Sequence, residues 1–172
     1  MHITLNTPTF NFNAAPPAQA IAGRPQIGEY WQGQGGVYGG DFCGGDDSIY
    51  GLIFASEQDV GRARLAPGGK RAQLSDWDGL ANTQHLRSEC PAAKMAAGYE
   101  RDGHSDFYLP ARRELLLGAA NLHDTFGKES WYWTSTLRGE HFAWAVVFEN
   151  GYVYHDYRTS EFRVRPVRRF IY

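Results

Sequence analysis

The clearest pattern of hydrophobic positions lies near the C-terminal end of the chain, between residues 142 and 148. Every position there is apolar, and large side chains (Phe, Trp, Val, Phe) alternate with smaller ones (Ala, Ala, Val). Successive side chains of a β-strand point to opposite faces of its sheet, so both faces of this strand are apolar. The pattern predicts a central strand over 142–148 that is buried on both sides.

The segments around this strand predict more β structure. Asn150-Gly151 favours a two-residue type I′ hairpin leading into a strand over 152–157. Residues 162–168 predict the strand that closes the same sheet, with Pro166 at an edge or near the strand's end because proline has no N–H to donate. Ile49–Ala55 has the composition of an earlier strand. The glycine-rich stretches 32–40 and 43–47 predict turns.

Two helical segments are predicted between residues 76 and 99. Residues 76–86 predict a helix with Ser75 or Asp76 as its N-cap. Pro91 interrupts that helix, and residues 92–99 predict a short continuation. Residues 101–106, including the polar run His-Ser-Asp, predict a loop.

The clearest helix is predicted over residues 109–122. Pro110 lies at its start, where a missing N–H has no intrahelical partner to lose. Leu115, Ala119 and Leu122 follow the i, i+4, i+7 spacing of one helix face, which predicts the side that packs on the sheet.

Length and composition favour one domain with an arm. A chain of 172 residues with 42% hydrophobic residues is long enough for one buried core and short for two. Residues 1–26 are polar and proline-bearing, which predicts an extended N-terminal arm that is either an assembly tether or a disordered terminus. Residues 27–172 are the predicted domain.

Charge and hydropathy argue against several classes of partner. A net charge of −2 gives no overall attraction to nucleic acid or to an anionic membrane. No apolar run approaches the length that spans a bilayer. The first residues lack the basic and apolar regions of a signal peptide, so we expect synthesis in the cytoplasm. Cys43 and Cys90 are then expected to be reduced, and a single bridge between them is the alternative.

A series of motifs resembles a known family. Asp-Trp-Asp-Gly-Leu-Ala-Asn-Thr, Leu-Pro-x-Arg-x-Glu-Leu, Tyr-Trp-x-Ser-Thr, Ala-Trp-x-Val-x-Phe-x-Asn-Gly and Val-Arg-Pro-Val-Arg follow one another between residues 76 and 168. Their order and spacing resemble the C-type-lectin-like domains of phage and prophage proteins and of the C-terminal domain of Legionella collagen-like adhesin. Residues 27–60 resemble that family more loosely, and the arm does not resemble it.

The resemblance implies an α+β, C-type-lectin-like fold: a small twisted antiparallel sheet with two flanking helices and long loops. It also implies binding rather than catalysis, without a cofactor or metal. We therefore expect a non-enzymatic component of a phage virion, in a tail fibre or as a decoration protein. The arm would contact other virion proteins, and the domain would bind a host-surface glycan or protein. A homo-oligomer located in the virion is expected.

Two alternatives follow from relatives of the same fold. A bacterial surface adhesin predicts an oxidised Cys43–Cys90 pair. An oxidase of the formylglycine-generating type predicts that a cysteine pair binds copper. Both remain open at the level of the sequence.

Exposed aromatic and loop residues are the candidate contacts. Tyrosine combines a rigid apolar face with a hydroxyl, which suits recognition of sugars or proteins. Loop residues between strands are the natural place for further contacts. The candidates are Arg138, Glu140, His141, Tyr152, Tyr154, Tyr157 and Arg158, and the alternative is that they are ordinary exposed residues. Four other large aromatics are predicted to be core: Trp77, Trp133, Trp144 and Phe148.

The sequence supports no metal site. It lacks the Glu-Pro-Asn or Gln-Pro-Asp and Trp-Asn-Asp motifs of calcium-dependent lectins, so Asp76 and Asp78 are predicted to cap a helix. The six histidines form no zinc-binding pattern. Arg163, Arg165 and Arg169 alternate along the last strand, and pairing with carboxylates is favoured over a nucleic-acid stripe.

Overall fold

The computed structural model describes residues 23–65 and 74–172. Most of the predicted N-terminal arm therefore lies outside the described residues. Its last part is described, and there Arg24 Nη1 donates to Asp41 Oδ2 at 3.0 Å while its guanidinium lies 5.6 Å from the centre of the Tyr38 ring. Residues just before position 27 thus contact the domain directly.

The described residues form an α+β fold with three helices and two mostly antiparallel sheets. The strands are β1 (Tyr30–Trp31), β2 (Gly36–Cys43), β3 (Ile49–Ala55), β4 (Arg62–Arg64), β5 (Trp131–Arg138), β6 (Phe142–Val147), β7 (Val153–Tyr157), β8 (Glu161–Arg163) and β9 (Val167–Phe170). The helices are α1 (Gly79–Leu86), α2 (Pro91–Ala97) and α3 (Arg112–Asn121), followed by a 3₁₀ turn over His123–Thr125.

The strands form two sheets rather than the single sheet expected. The first has the order β1-β2-β3-β9 and the second β4-β8-β5-β6-β7, with β5 and β8 as the parallel pair. The segment predicted as one closing strand, 162–168, is divided between the sheets: it ends β8, crosses over and begins β9. Pro166 lies in the crossing, where its missing N–H removes no ladder hydrogen bond.

Strand β6 is central and largely buried, as its sequence predicts. It pairs with β5 on one side and β7 on the other. On one face Val146 joins a core with Phe54 and Leu115 of the first sheet and α3. On the other face Ala143 and Ala145 join a second core that contains the alanines of α2. The second sheet thus lies between two cores, which explains why both faces of β6 are apolar.

Part of the glycine-rich stretch is strand and not turn. Residues 36–43 form β2, and a β-carbon at Gly36 would overlap the Phe54 carbonyl oxygen. At Gly39 a β-carbon would approach the Phe54 ring to 2.6 Å. The glycines let β2 lie close beneath this buried ring, which is a packing requirement that composition does not distinguish from a turn.

One of the predicted capping residues, Asp78, caps α1, and no cap was predicted for α2. Ser75 Oγ accepts from the backbone N–H groups of Trp77 and Asp78, so the chain makes a turn before α1. Asp78 is the N-cap and accepts from Ala81 N at 2.9 Å, so neither Ser75 nor Asp76 is the cap. Helix α2 begins at Pro91, and Cys90 Sγ accepts from Ala93 N.

The hairpin between β6 and β7 is present, but its turn is not type I′. Val147 N donates to the Tyr152 carbonyl, so four residues lie within this closing hydrogen bond instead of the two of a type I′ hairpin. Gly151 has φ +72°, whereas Asn150 does not adopt a positive φ, which a type I′ turn requires. The prediction of a hairpin was right and its turn type was wrong.

Two neighbouring hydroxyl side chains of β5, Ser135 and Thr136, contact the starts of two helices, and we call them the polar seam. Thr136 Oγ1 accepts from Arg112 N, at the start of α3, at 3.0 Å and donates to the Ser75 carbonyl at 2.9 Å. Ser135 Oγ accepts from the side chain of Asn82 on α1 at 3.1 Å. The Thr136 hydroxyl satisfies the Arg112 N–H in the first turn of α3, which has no partner within the helix.

A buried carboxylate connects the starts of α1 and α3 to β9. Glu114 is fully buried, and its two oxygens accept from Gly79 N, Ala111 N, Tyr50 Oη, Tyr108 Oη and Arg169 Nη2. Arg169 Nη2 also donates to Asp78 at 2.8 Å. Burial alone lowers the pKa of Arg169, but interactions with Tyr108 and Glu114 outweigh it and raise that pKa. We call Glu114, Arg169, Tyr50, Tyr108 and Asp78 the Glu114 network.

The arginines of the C-terminal segment serve the fold. Arg163 pairs with Asp59 at 2.6 Å, and Arg169 pairs with Asp78 and Glu114, so pairing with carboxylates is confirmed for both. Arg165 differs, because its Nε donates to the Ala55 carbonyl and its Nη1 to Thr125, and it is 1% exposed. Burial lowers the pKa of Arg165 to about 10.

Candidate binding surface

Three predicted elements come together at one end of the second sheet. The register pairs Arg138 of β5 with Phe142 of β6, and Phe142 with Tyr157 of β7. The Phe142 and Tyr157 rings lie 4.7 Å apart, and Tyr157 is 59% exposed. A cation and two aromatic rings therefore form a row across three strands, next to the loop that joins β5 to β6.

Trp144 extends this row along β6. The guanidinium groups of Arg112 and Arg138 lie 4.6 Å and 5.0 Å from the centre of its ring. Arg138 Nη1 lies 2.6 Å from His155 Nδ1, and the His155 ring meets Trp144 edge-on. Because Arg112 is also held by Asp76 at 2.6 Å, the indole is fixed from the side of α3. These cation–π contacts order side chains that are only partly buried.

The loop between β5 and β6 completes the site. Gly139 has φ +78°, which lets the chain turn while Arg138, Glu140 and His141 remain exposed. Arg158 supports the loop from beneath: its backbone N donates to the His141 carbonyl and its Nη1 to the Glu140 carbonyl. We name this site the loop-end surface, and its residues are Arg138, Glu140, His141, Phe142, Trp144, His155 and Tyr157.

The prediction that Arg158 contacts a ligand needs correction. Arg158 is 5% exposed, because both its backbone and its side chain are directed to the loop carbonyls. Arg158 directly follows β7, and its side chain donates to the Glu140 carbonyl instead of facing solvent. Arg158 therefore holds the exposed residues in position and does not itself present a surface.

The structure separates the predicted tyrosines. Tyr152 lies in the turn at the opposite end of the β6–β7 hairpin from Tyr157, about 16 Å away at the rise of an extended strand. Tyr154 pairs with Ala145, on the other sheet face, where its ring lies 6.2 Å from Trp131 and also stacks on neighbouring His155 at the sheet edge. All three are exposed, but only Tyr157 belongs to the loop-end surface.

Sequence reasoning missed four residues of this region. Phe142 and Trp144 were assigned to the buried strand, and Arg112 and His155 were not singled out, yet all four are partly exposed or border the surface. Trp133 and Phe148 are fully buried as predicted, whereas Trp77, like Trp144, is half-buried. A usable signal was present: β7 contains His155, Asp156 and only one aliphatic residue, which is typical of an edge strand that does not cover its neighbour completely.

Among the described residues, the cysteines form no disulfide, and the cysteines and acidic side chains form no metal site. Cys43 is exposed at the end of β2, Cys90 is buried at the start of α2, and both are free. Burial raises the pKa of Cys90, so its thiol form is favoured. Within residues 23–65 and 74–172, no three His, Cys, Asp or Glu side chains gather in a way that could hold a metal ion. In the same ranges, no helix has the length and hydropathy needed to cross a membrane.

Comparison with known proteins does not assign this chain to a family. No family model matches this chain, and no curated protein matches it either. The geometry of the loop-end surface and the scaffold beneath it therefore carry the functional argument.

Proposed function

We propose that the chain is a binding module with a C-type-lectin-like fold. Two observations support this fold. The first and last described strands, β1 and β9, belong to the same sheet, and the strands from β4 to β8 form the other sheet. The segments that resemble the family also contain residues that stabilise the fold: Glu114, Thr136 and Arg165 are each buried and hydrogen-bonded.

The module is a non-enzymatic component of a tailed phage virion, and it contacts a host-surface molecule or another virion protein. The observation that carries this proposal is the loop-end surface. Aromatic and cationic side chains converge there on a sheet that packs against two cores. These side chains are already ordered, so binding a partner costs little conformational entropy. Binding then occurs by surface complementarity around a few aromatic anchors.

The chemistry of the surface defines the partner. Tyr157, Phe142 and Trp144 offer flat apolar faces that stack on sugar rings or on apolar side chains. Arg138 and the exposed histidine in the loop offer donors, and Glu140 offers acceptors. A glycan or a polar protein loop has the mixture of hydroxyl, carbonyl and apolar groups that this surface complements.

Mass spectrometry of purified particles tests the virion role. Particles are induced from the strain that carries the gene, purified by density, and compared with the cleared lysate. The proposal predicts this chain in the particles in a fixed ratio to the major structural proteins. If the lysate contains the chain while the particles do not, the virion role is wrong.

A further inference from the structure

A second concave site lies away from the loop-end surface. The turn Gly44–Asp46 between β2 and β3, the segment before α1, and β9 enclose a cleft of about 320 Å³. Tyr50, Trp77, Asp78 and Arg169 line it together with that turn. Ligand sites generally start at about 300 Å³, so the cleft has room for one small ring and not for a long chain.

The floor of the cleft is the Glu114 network. Arg169 uses Nε on the Tyr108 hydroxyl and Nη2 on Asp78 and Glu114. Its third nitrogen, Nη1, has no partner among the described residues. Asp78 likewise uses Oδ1 for Ala81 and Arg169, and its Oδ2 has no partner in the same ranges. The Glu114 network thus fixes the Arg169 and Asp78 side chains while Arg169 Nη1 stays free to donate and Asp78 Oδ2 stays free to accept, as far as the described residues show.

The walls add a second pair of polar groups. Asp46 accepts from both the backbone and the hydroxyl of Ser48 through Oδ1, which leaves Oδ2 without a partner among the described residues. Those hydrogen bonds lower the pKa of Asp46, so it is anionic at neutral pH. The Trp77 indole N–H also has no acceptor in the described parts of the chain, and one face of its ring lies 4.0 Å from the Arg113 guanidinium.

The charge pattern selects against ionic ligands. Asp46 and Asp78 line the cleft, so an anion attracted by Arg169 meets two carboxylates. A cation meets Arg169, which already lies 4.3 Å from the centre of the Tyr50 ring and occupies the aromatic face that such a ligand would use. A neutral ligand whose groups both donate and accept hydrogen bonds fits donors and acceptors that alternate around one small space.

We propose that this cleft binds a single neutral sugar ring, with its hydroxyl groups bridging Asp46, Asp78 and Arg169. Vicinal hydroxyls can donate to a carboxylate and accept from a guanidinium at the same time. The apolar face of the ring then lies beside the Trp77 and Tyr50 side chains. This site goes beyond the proposed function, since it uses other residues than the loop-end surface and does not depend on a virion location.

An NMR titration of the full chain tests the site. The probes are uncharged monosaccharides, namely glucose, galactose, mannose and N-acetylglucosamine, and the reporter is the indole N–H resonance of Trp77, assigned with Trp77→Phe. We expect at least one sugar to shift this resonance and the amide of Gly45 along a saturable curve in the millimolar range. The indole resonances of the buried Trp31 and Trp133, which belong to neither surface, should remain in place.

Two neighbouring variants provide a matched comparison. Asp46→Asn keeps the oxygen that Ser48 donates to but removes the charge, and should weaken binding about tenfold or more, the usual effect of losing a hydrogen bond to an ion. Asp47→Asn alters an adjacent exposed carboxylate that does not line the cleft and should bind as wild type.

The result that overturns the proposal is a Trp77 resonance that no sugar moves, or one that a charged probe such as phosphate or tetramethylammonium moves more strongly than any sugar. Equal affinities of Asp46→Asn and Asp47→Asn also overturn it. Absence of the chain from particles refutes the virion role alone, so the two proposals fail separately.

Discussion

The Glu114 network and the loop-end surface are built from the same kinds of side chain and differ in what surrounds them. In the network, Arg169 lies between two tyrosines and pairs with a fully buried carboxylate. In the loop-end surface, Arg138 lies beside Trp144 and His155 but remains exposed to solvent. Arginine on aromatic rings holds the structure together in one region and stays available to a partner in the other.

The difference shows how to separate stability from binding. A buried charge has lost its hydration, so removing its partner is expensive, whereas an exposed cation loses little when a neighbour changes. Mutations in the network should therefore lower the free energy of unfolding strongly, and mutations in the loop-end surface should change it little. Four predictions, from the largest effect on stability to the smallest, test that separation.

Glu114→Gln is expected to have the largest effect. It leaves Arg169 without its buried carboxylate partner and places an amide N–H₂ opposite groups that already donate, and we expect a loss of about 3–5 kcal/mol. Urea unfolding followed by tryptophan fluorescence measures the loss. Glu140→Gln in the exposed loop is the control and should change stability by less than about 0.5 kcal/mol. Equal effects of the two variants would contradict the assigned role of the network.

Thr136→Val tests the polar seam beneath the loop-end surface. The change keeps the shape of the side chain but removes the oxygen that accepts from Arg112 N and donates to the Ser75 carbonyl. The Arg112 N–H loses its partner, and the Ser75 carbonyl keeps only its hydrogen bond from the Asn82 side chain, which should cost about 1–3 kcal/mol in the same unfolding assay. Thr159→Val, at an exposed position, should be close to neutral. A neutral Thr136→Val would mean that water replaces the hydroxyl and that the seam adds no stability.

Asp106→Asn tests the ion pair between the buried Arg168 and Asp106, whose carboxylate is about half exposed. Arg168 donates through Nε to Asp106 Oδ1 at 2.7 Å and through Nη2 to Oδ2 at 3.1 Å. Burial acts to raise the pKa of Asp106, but the hydrogen bond and charge of Arg168 outweigh it, and the pKa lies below the ordinary value of 3.8. A lowered pKa contributes stability above pH 3.8 that is lost as the pH falls through the folded-state value.

The measurement for this pair is unfolding free energy against pH. Wild type should exceed Asp106→Asn by less than about 1 kcal/mol at neutral pH, because the carboxylate is half exposed. The gap should stay constant down to about pH 5 and close below pH 3.8. A gap that does not change with pH would assign the effect to packing and not to charge.

Tyr157→Ala is expected to have the smallest effect on stability. The ring is more exposed than buried and touches mainly Phe142, so its loss should cost less than about 1 kcal/mol. Thermal unfolding by circular dichroism checks this. A loss comparable to that of Glu114→Gln would mean that the loop-end surface is part of the core and would remove the contrast between the two regions.

Much of the fold follows from sequence periodicity. Strand β3 has the predicted bounds, and β6 is central as its two apolar faces require. Helix α3 is present, although it begins at Arg112 because Pro110 and Ala111 remain extended before it. Periodicity works in these segments because each packs on both sides or along one continuous stripe.

Other features depend on contacts between distant segments, and local patterns do not encode them. The division of 162–168 between two sheets follows from the crossing at Pro166. The strand character of Gly36–Cys43 depends on Phe54, which fills the space that side chains would need. The loop-end surface was predicted in part through Arg138, Glu140, His141 and Tyr157. Its Trp144 was missed, because exposure there depends on where α3 begins.

The most direct test of the central claim is adsorption of the purified full chain to cells of the host strain and to phage particles that lack it. Wild type is compared with an Arg138→Ala/Tyr157→Ala variant and with Tyr152→Ala, which removes another exposed tyrosine at the far end of the same hairpin. We expect wild type and Tyr152→Ala to bind one of these surfaces and the double variant, still folded, not to bind. Equal retention of all three proteins, or no retention of wild type on either surface, would contradict it.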